Sequence, residues 1–157
     1  MAPSNSKYYF SNLVALITGC STSDGIPAQI ALQFAQFGAH LVINGPSGEV
    51  LNAIALQINQ SKQSKPPLII VGDLTNRSVV PKLVQQTVAK FGRLDILVNG
   101  GSSSMIETNN SSSTINELDS CELLDNFDRA ISLQVRSTLQ LIQLCVPHLE
   151  KVNNSSI

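Results

Sequence analysis

Leu13-Val14-Ala15-Leu16-Ile17 runs directly into Thr18-Gly19-Cys20-Ser21-Thr22-Ser23-Asp24-Gly25-Ile26-Pro27. An unbroken apolar run of this length, closed by Thr-Gly, suits a strand buried on both faces. The polar loop from Cys20 to Gly25 separates it from residues 26–37. There Ile26, Ile30, Ala31, Phe34 and Phe37 recur at helical spacing. Gly38 then stands where a helix end commonly needs a left-handed residue. A buried strand, a glycine-bearing turn and a helix make the opening unit of a parallel α/β sheet.

The same alternation continues outward. Residues 39–43 read as a second strand, 44–48 as a turn, and 49–59 as a helix with Val50, Leu51, Ile54, Leu56 and Ile58 on its apolar side. A polar loop over 61–67 leads to a third strand at 68–71, which ends in Gly72-Asp73. A third helix spans about 78–91, with Pro81 tolerated in its first turn and Gly92 ending it. Residues 94–98 form a fourth strand. Buried strands alternating with helices imply a doubly wound, Rossmann-like parallel sheet with right-handed crossovers. Residues 1–12 read as a polar tail and 102–124 as a mobile loop. Residues 123–149 read as one long helix whose apolar stripe is Leu124, Phe127, Ile131, Val135, Leu139, Ile142 and Val146.

Composition narrows the function classes. The 157 residues carry a formal net charge of -1, so no basic surface draws in nucleic acid or an anionic membrane. Trp is absent and aromatics are 4%, which removes a stacking platform for bases. Cys20, Cys121 and Cys145 are widely spaced and only His40 and His148 accompany them, so neither a metal site nor a disulfide framework is expected. Reduced thiols, no secretory leader in residues 1–12 and no membrane-length apolar run point to a cytoplasmic protein.

The chemistry sits in the glycine loop. A diphosphate must approach bare amides at a helix N-terminus, and a Cβ there would block it. The loop resembles the T-G-x-x-x-G-I-G of the short-chain dehydrogenase/reductase family, with two residues more between Gly19 and Gly25 and with Pro27 in place of the last glycine. Residues 91–101, Phe-Gly-Arg-Leu-Asp-Ile-Leu-Val-Asn-Gly-Gly, are similar to that family's F-G-x-L-D-I-L-V-N-N-A; Gly100 and Gly101 stand for Asn and Ala. Gly72-Asp73-Leu74-Thr75 resembles the family's D-V/L-T, whose Asp and following backbone contact the adenine; an Asp capping the next helix is the compatible structural reading. Phe127 to Val135 is similar to W-D-x-x-x-x-V-N-L, which puts Gln134 at the position of the family's catalytic Asn, lengthened by one methylene.

The resemblance spans 13–157 and implies an incomplete NAD(P)-binding domain with strand order 3-2-1-4. It implies cofactor contacts from Thr18, Gly19, Ser21, Gly25, Ile26, Asp73, Leu74, Asn99, Gly100 and Gly101. After the second strand, Asn44-Gly45-Pro46-Ser47 offers neither an acid for a ribose 2′-hydroxyl nor an Arg for a 2′-phosphate, so NAD and NADP both stay open with a lean to NADP. The family's Ser and Tyr-x-x-x-Lys have no counterpart here: Tyr8 and Tyr9 precede the first strand and no Lys follows at helical spacing. Three readings stand: an incomplete NAD(P)-dependent oxidoreductase of alcohols and carbonyls, inactive as written; a non-catalytic dinucleotide-binding or association module; or a fragment without function. Because the family pairs its subunits through this helix, the 123–149 helix could associate with a second copy or a complete relative, and poor solubility is expected of the isolated chain.

Overall fold

The computed structural model describes residues 10–60, 65–101 and 120–151, with side chains from 124 onward in the last segment. The order is β1 (Val14–Ile17), α1 (Ile26–Gln36), β2 (His40–Gly45), α2 (Gly48–Asn59), β3 (Leu68–Val71), α3 (Val79–Phe91), β4 (Ile96–Val98), α4 (Ser120–Ala130), a π-helical segment (Ile131–Arg136) and α5 (Ser137–Leu149). The strands pair in parallel in the order β3-β2-β1-β4, as expected from the alternation and the resemblance. Tyr8, Tyr9, residues 102–119 of the loop read at 102–124 and the tail from Val152 lie outside the described residues.

Each β1 side chain is at most 1% exposed. Successive side chains point to opposite faces of a strand. Ala15 and Ile17, with Leu41 and Ile43, therefore meet α1 and α2. Leu16, Val42, Ile70 and Leu97 meet α3 and α5 on the other face. With both faces covered, no position in β1 tolerates a polar side chain, which is why the run is unbroken.

The helices bury most of the expected arcs, Ile30, Ala31 and Phe34 in α1 and Leu51, Ile54 and Ile58 in α2, with individual residues displaced. α1 turns Ala28, Ala31 and Ala35 to the sheet, while Ile26 is 78% exposed and Phe37 also reaches solvent. Small side chains allow the closest approach to the strands, so the alanines decide the arc. In α2, Ala55 is buried and Leu56 is exposed for the same reason. Phe10 donates its N–H to Phe37 O and packs edge-on against Phe34, ring centroids 5.0 Å apart. The packed body thus begins inside the stretch read as a tail.

The long helix departs most from expectation. It starts at Ser120 and changes register at Ile131–Arg136. The Ser137 hydroxyl donates to Leu133 O, the carbonyl four residues back, and the Ser137 N–H donates to Ser132 O, five back. That exchange is the local cause of the wide turn. Ser137, Leu141, Cys145 and Leu149 face inward, the last three packing with α3 residues in one core. The stripe expected to be buried points outward instead: Leu124 and Leu139 are each 63% exposed, and Phe127, Ile131 and Val135 are exposed with them. The helix has two apolar arcs, and the one toward α3 uses smaller residues.

Asp95 closes the amino end of the sheet. Its carboxylate, 1% exposed, accepts the Val14 N–H at 2.8 Å and a two-pronged bond from Arg93 at 2.9 and 2.5 Å. The bond to Asp95 raises the Arg93 pKa above its ordinary value. Asp95→Ala strands the Val14 N–H among apolar neighbours, and is expected to cost about 2 kcal/mol in urea unfolding.

His40 Nε2 lies 2.8 Å from Lys65 Nζ, and the ring tilts against Phe91 at 5.3 Å. Burial, then the charges of Lys65 and Lys90, lower its pKa below 6.5. The unfolded chain therefore binds this proton first, so the contribution is whole above that pH and is lost as pH falls through the window beneath it. Urea unfolding at pH 7.5 and pH 5.5 should show a loss that His40→Gln removes; an unchanged loss in the variant rejects the assignment.

Candidate functional site

The loops that leave β1, β2, β3 and β4 meet at the carboxyl edge of the sheet. Thr18, buried, donates its N–H to Val98 O at 3.0 Å and its hydroxyl to the same oxygen at 3.3 Å. Gly19 follows at φ +78, and a Cβ there would stand 2.2 Å from Gly100 C and 2.4 Å from Gly101 N. Cys20 donates its N–H to Asn44 O at 2.9 Å. A Cβ on Gly45 would stand 2.1 Å from Cys20 O. Three loops are thus in backbone contact, and at Gly19, Gly45 and Gly100 they touch too closely for a Cβ.

α1 opens beside this junction. Gly25 is its N-cap in an extended conformation, without a side-chain cap, and its carbonyl accepts the Gln29 N–H at 3.0 Å. The amides of Ile26 and Ala28 have no intrahelical acceptor, and Pro27 between them has no N–H. Ser21, Asp24 and Ile26 are exposed around these amides. The edge therefore presents a helix N-terminus, with its partial positive charge, to solvent.

β2 runs on to Gly45, two residues past its expected end, and Asn44 belongs to the sheet. Its amide donates to Ile70 O at 2.9 Å and Gly72 O at 3.0 Å, tying β2 to the end of β3; its buried Oδ1 has no partner among the described residues. Only Pro46 and Ser47 remain to face a ligand there, and Ser47 already accepts the Val50 N–H as the cap of α2.

After β3, Asp73 closes its own turn: Oδ1 accepts the N–H and the hydroxyl of Thr75, each at 2.8 Å. It does not cap α3, whose N-cap is Ser78; that structural reading is corrected, because Asn76 and Ser78 form a second such turn before the helix can start. Asp73 Oδ2 lies 3.5 Å from Arg129 Nη2, and Arg136 donates to Thr75 O at 3.4 Å. Leu74 is buried, and a Cβ on Gly101 would touch both Leu74 at 3.8 Å and Leu133 at 3.7 Å. Leu133 of the π-helical segment therefore faces the Gly101 loop, with room for a methyl between them. Gln134 is the next residue and is exposed; Asn99 is exposed as well.

The ten positions implied by the resemblance thus lie along this edge. Sequence reading missed Cys20, Asn44, Gly45, Leu133 and the two arginines. An Asn inside an apolar strand was the one available signal, because a buried amide must find backbone partners. Burial pushes the Cys20 thiol up to about 11 and the Cys145 thiol up to about 12, so neither serves as a nucleophile near neutral pH. Among the described residues no group of three or more His, Cys, Asp or Glu is placed to hold a metal, and no helix is long and apolar enough to cross a membrane. The arrangement suits holding an elongated anion; no described side chain on it is placed as a proton donor.

Comparison with known proteins matches residues 13–157 to a family model described as short chain dehydrogenase. An uncharacterised oxidoreductase of Staphylococcus epidermidis is 30% identical over 144 residues, 92% of this chain and 55% of that protein. A 3-oxoacyl-[acyl-carrier-protein] reductase of Thermotoga maritima is 28% identical, over 92% of this chain and 53% of its own length. Among solved structures, L-sorbose reductase from Gluconobacter frateurii, complexed with NADPH and L-sorbose, superposes with a TM-score of 0.74 at 28% identity, covering 92% of this chain and 50% of that one. The chain spans about half the length of the relatives it matches.

Gly19→Ala places a Cβ inside the Gly100 backbone and forces an alanine to φ +78. The backbone conformation alone costs about 1–2 kcal/mol. The variant is expected to melt well below the wild type in circular dichroism.

Proposed function

The chain belongs to the short-chain dehydrogenase family, and on that premise we propose that its carboxyl edge holds a nicotinamide dinucleotide in the service of alcohol–carbonyl oxidoreduction. The single observation that carries this reading is the close backbone junction of Gly19 and Gly100 beside the α1 N-terminus, where the amide of exposed Ile26 has no intrahelical acceptor. The amide of exposed Ile26 would meet the diphosphate. Asp73 and Leu74 would border the adenine, and Asn99 to Gly101 the nicotinamide side. Thr18, Gly19, Ser21 and Gly25 would shape the passage between them. A bound dinucleotide would supply or take the hydride; these residues would only bind and orient.

The loop after β2 supports NADP over NAD. Pro46 and Ser47 carry no carboxylate to repel a 2′-phosphate, and Asn44 is committed to β3. Exposed Gln134, together with the substituted Pro27 and Gly100, favours a second reading: a module that binds without turning over. Tyr8 and Tyr9, the tyrosines present, lack a Lys four residues on. The outward apolar face of α4 and α5 is the surface proposed for association with a second copy or a complete relative.

Isothermal titration calorimetry with NADPH and NADH tests the reading on the 157-residue chain. Saturable binding, tighter for NADPH, is expected, with no change in 340 nm absorbance over hours in the presence of simple alcohols or ketones. Absence of heat with both cofactors rejects the dinucleotide site, and steady turnover rejects the claim that these residues only bind.

A further inference from the structure

Two departures from the family's motifs, Pro27 and Gly100, are in contact although 73 positions separate them in the chain. A Cβ on Gly100 would stand 2.4 Å from Pro27 Cγ, 3.0 Å from Pro27 Cβ and 2.5 Å from Thr18 O. A Cβ on Gly19 would in turn enter the Gly100 backbone at 2.2 Å. The pyrrolidine ring, the Gly100 backbone and the Gly19 backbone are therefore stacked without slack. Where the resembling motif has a bare glycine on the helix and an Asn after the fourth strand, this chain has bulk on the helix and none after the strand. The volume has been exchanged across the junction.

We propose that Pro27 is a positioning residue: its ring, seated on Gly100, fixes the spacing between the loops after β1 and β4. The proline ring has its φ locked and cannot swing aside as a longer side chain would. Gly100 and Gly101 have no side chains of their own to hold them in place; Gly100 rests on the ring, while space for a methyl separates Gly101 from Leu133 and Leu74. In a doubly wound sheet a dinucleotide crosses at the point where strand order reverses, which here lies between β1 and β4. The ring thus governs the fit of the ligand beyond its diphosphate, and leaves the adenosine half to the loops after β2 and β3. This inference rests on the dinucleotide reading above.

A double-mutant cycle of Pro27→Ala and Gly100→Ala tests it, read in melting temperature and in the calorimetric affinities for NADPH and for 2′-phosphoadenosine 5′-diphosphate, the half that stops short of β4. Pro27→Ala also restores an amide to the diphosphate, so the ratio of the two affinities is the informative quantity. Gly100→Ala should lower that ratio about tenfold, and the double variant should regain at least about threefold of it. Additive effects overturn the inference, and so does a fall in melting temperature with the ratio unchanged, which would mark a purely structural contact. Pro27→Ala, which adds no clash, keeps the cycle readable: were Gly100→Ala unable to fold, recovery of folding in the double variant would uphold the interlock and no recovery would overturn it. Should neither ligand bind the wild type, the dinucleotide reading falls; melting temperatures then decide the interlock, upheld by coupling and overturned by additivity.

Discussion

Close backbone contact at the carboxyl edge is the constraint from which the rest follows. β1 is buried on both faces and paired on both sides, so the chain leaving it can turn only through the narrow gap over β2 and β4. The gap admits backbone but no Cβ at Gly19, Gly45 and Gly100. The same narrow gap brings the start of α1, with Pro27 against Gly100, to the edge where the three loops touch.

Much of this was legible in the sequence because each element obeys a single dominant rule. The β1 run is apolar at every position, which only two-sided burial explains. Gly38 and Gly92 end their helices at φ +87 and +72, the conformation their positions called for. Other features involve competition between neighbours and were not legible. Asn44 looked like a turn residue, since its polarity is ordinary there. Only the carbonyls of Ile70 and Gly72, brought alongside by the β3 pairing, make it a strand residue. In α1 the periodicity found Ile30, Ala31 and Phe34 but also counted Ile26 and Phe37, whereas Ala28 and Ala35 complete the inward arc because small residues fit where the helix lies close to the sheet.

The long helix shows the limit of periodicity most clearly. The stripe counted at α-helical spacing holds together across the π-helical turn from Leu124 to Leu139, but on the outward face, because a second arc of Leu141, Cys145 and Leu149 packs with α3. Leu133 in the wide turn faces the loop of Gly101, and Arg129 and Arg136 reach Asp73 and Thr75 from either end of it. Two apolar arcs on one helix look alike in sequence, and packing against α3 decides which of them is covered.

The Asp95 bridge has a kinetic side. It joins backbone positions 81 residues apart, whereas the Asn44 bridge between β2 and β3 spans 26. Closing the longer loop costs about 1 kcal/mol more in chain entropy. Strands β1 to β3 can thus assemble through short right-handed crossovers while the fourth waits. Chain entropy favours closing the β1–β2–β3 side first, and the buried Asp95 carboxylate is the group that ties β4 to the other flank of β1.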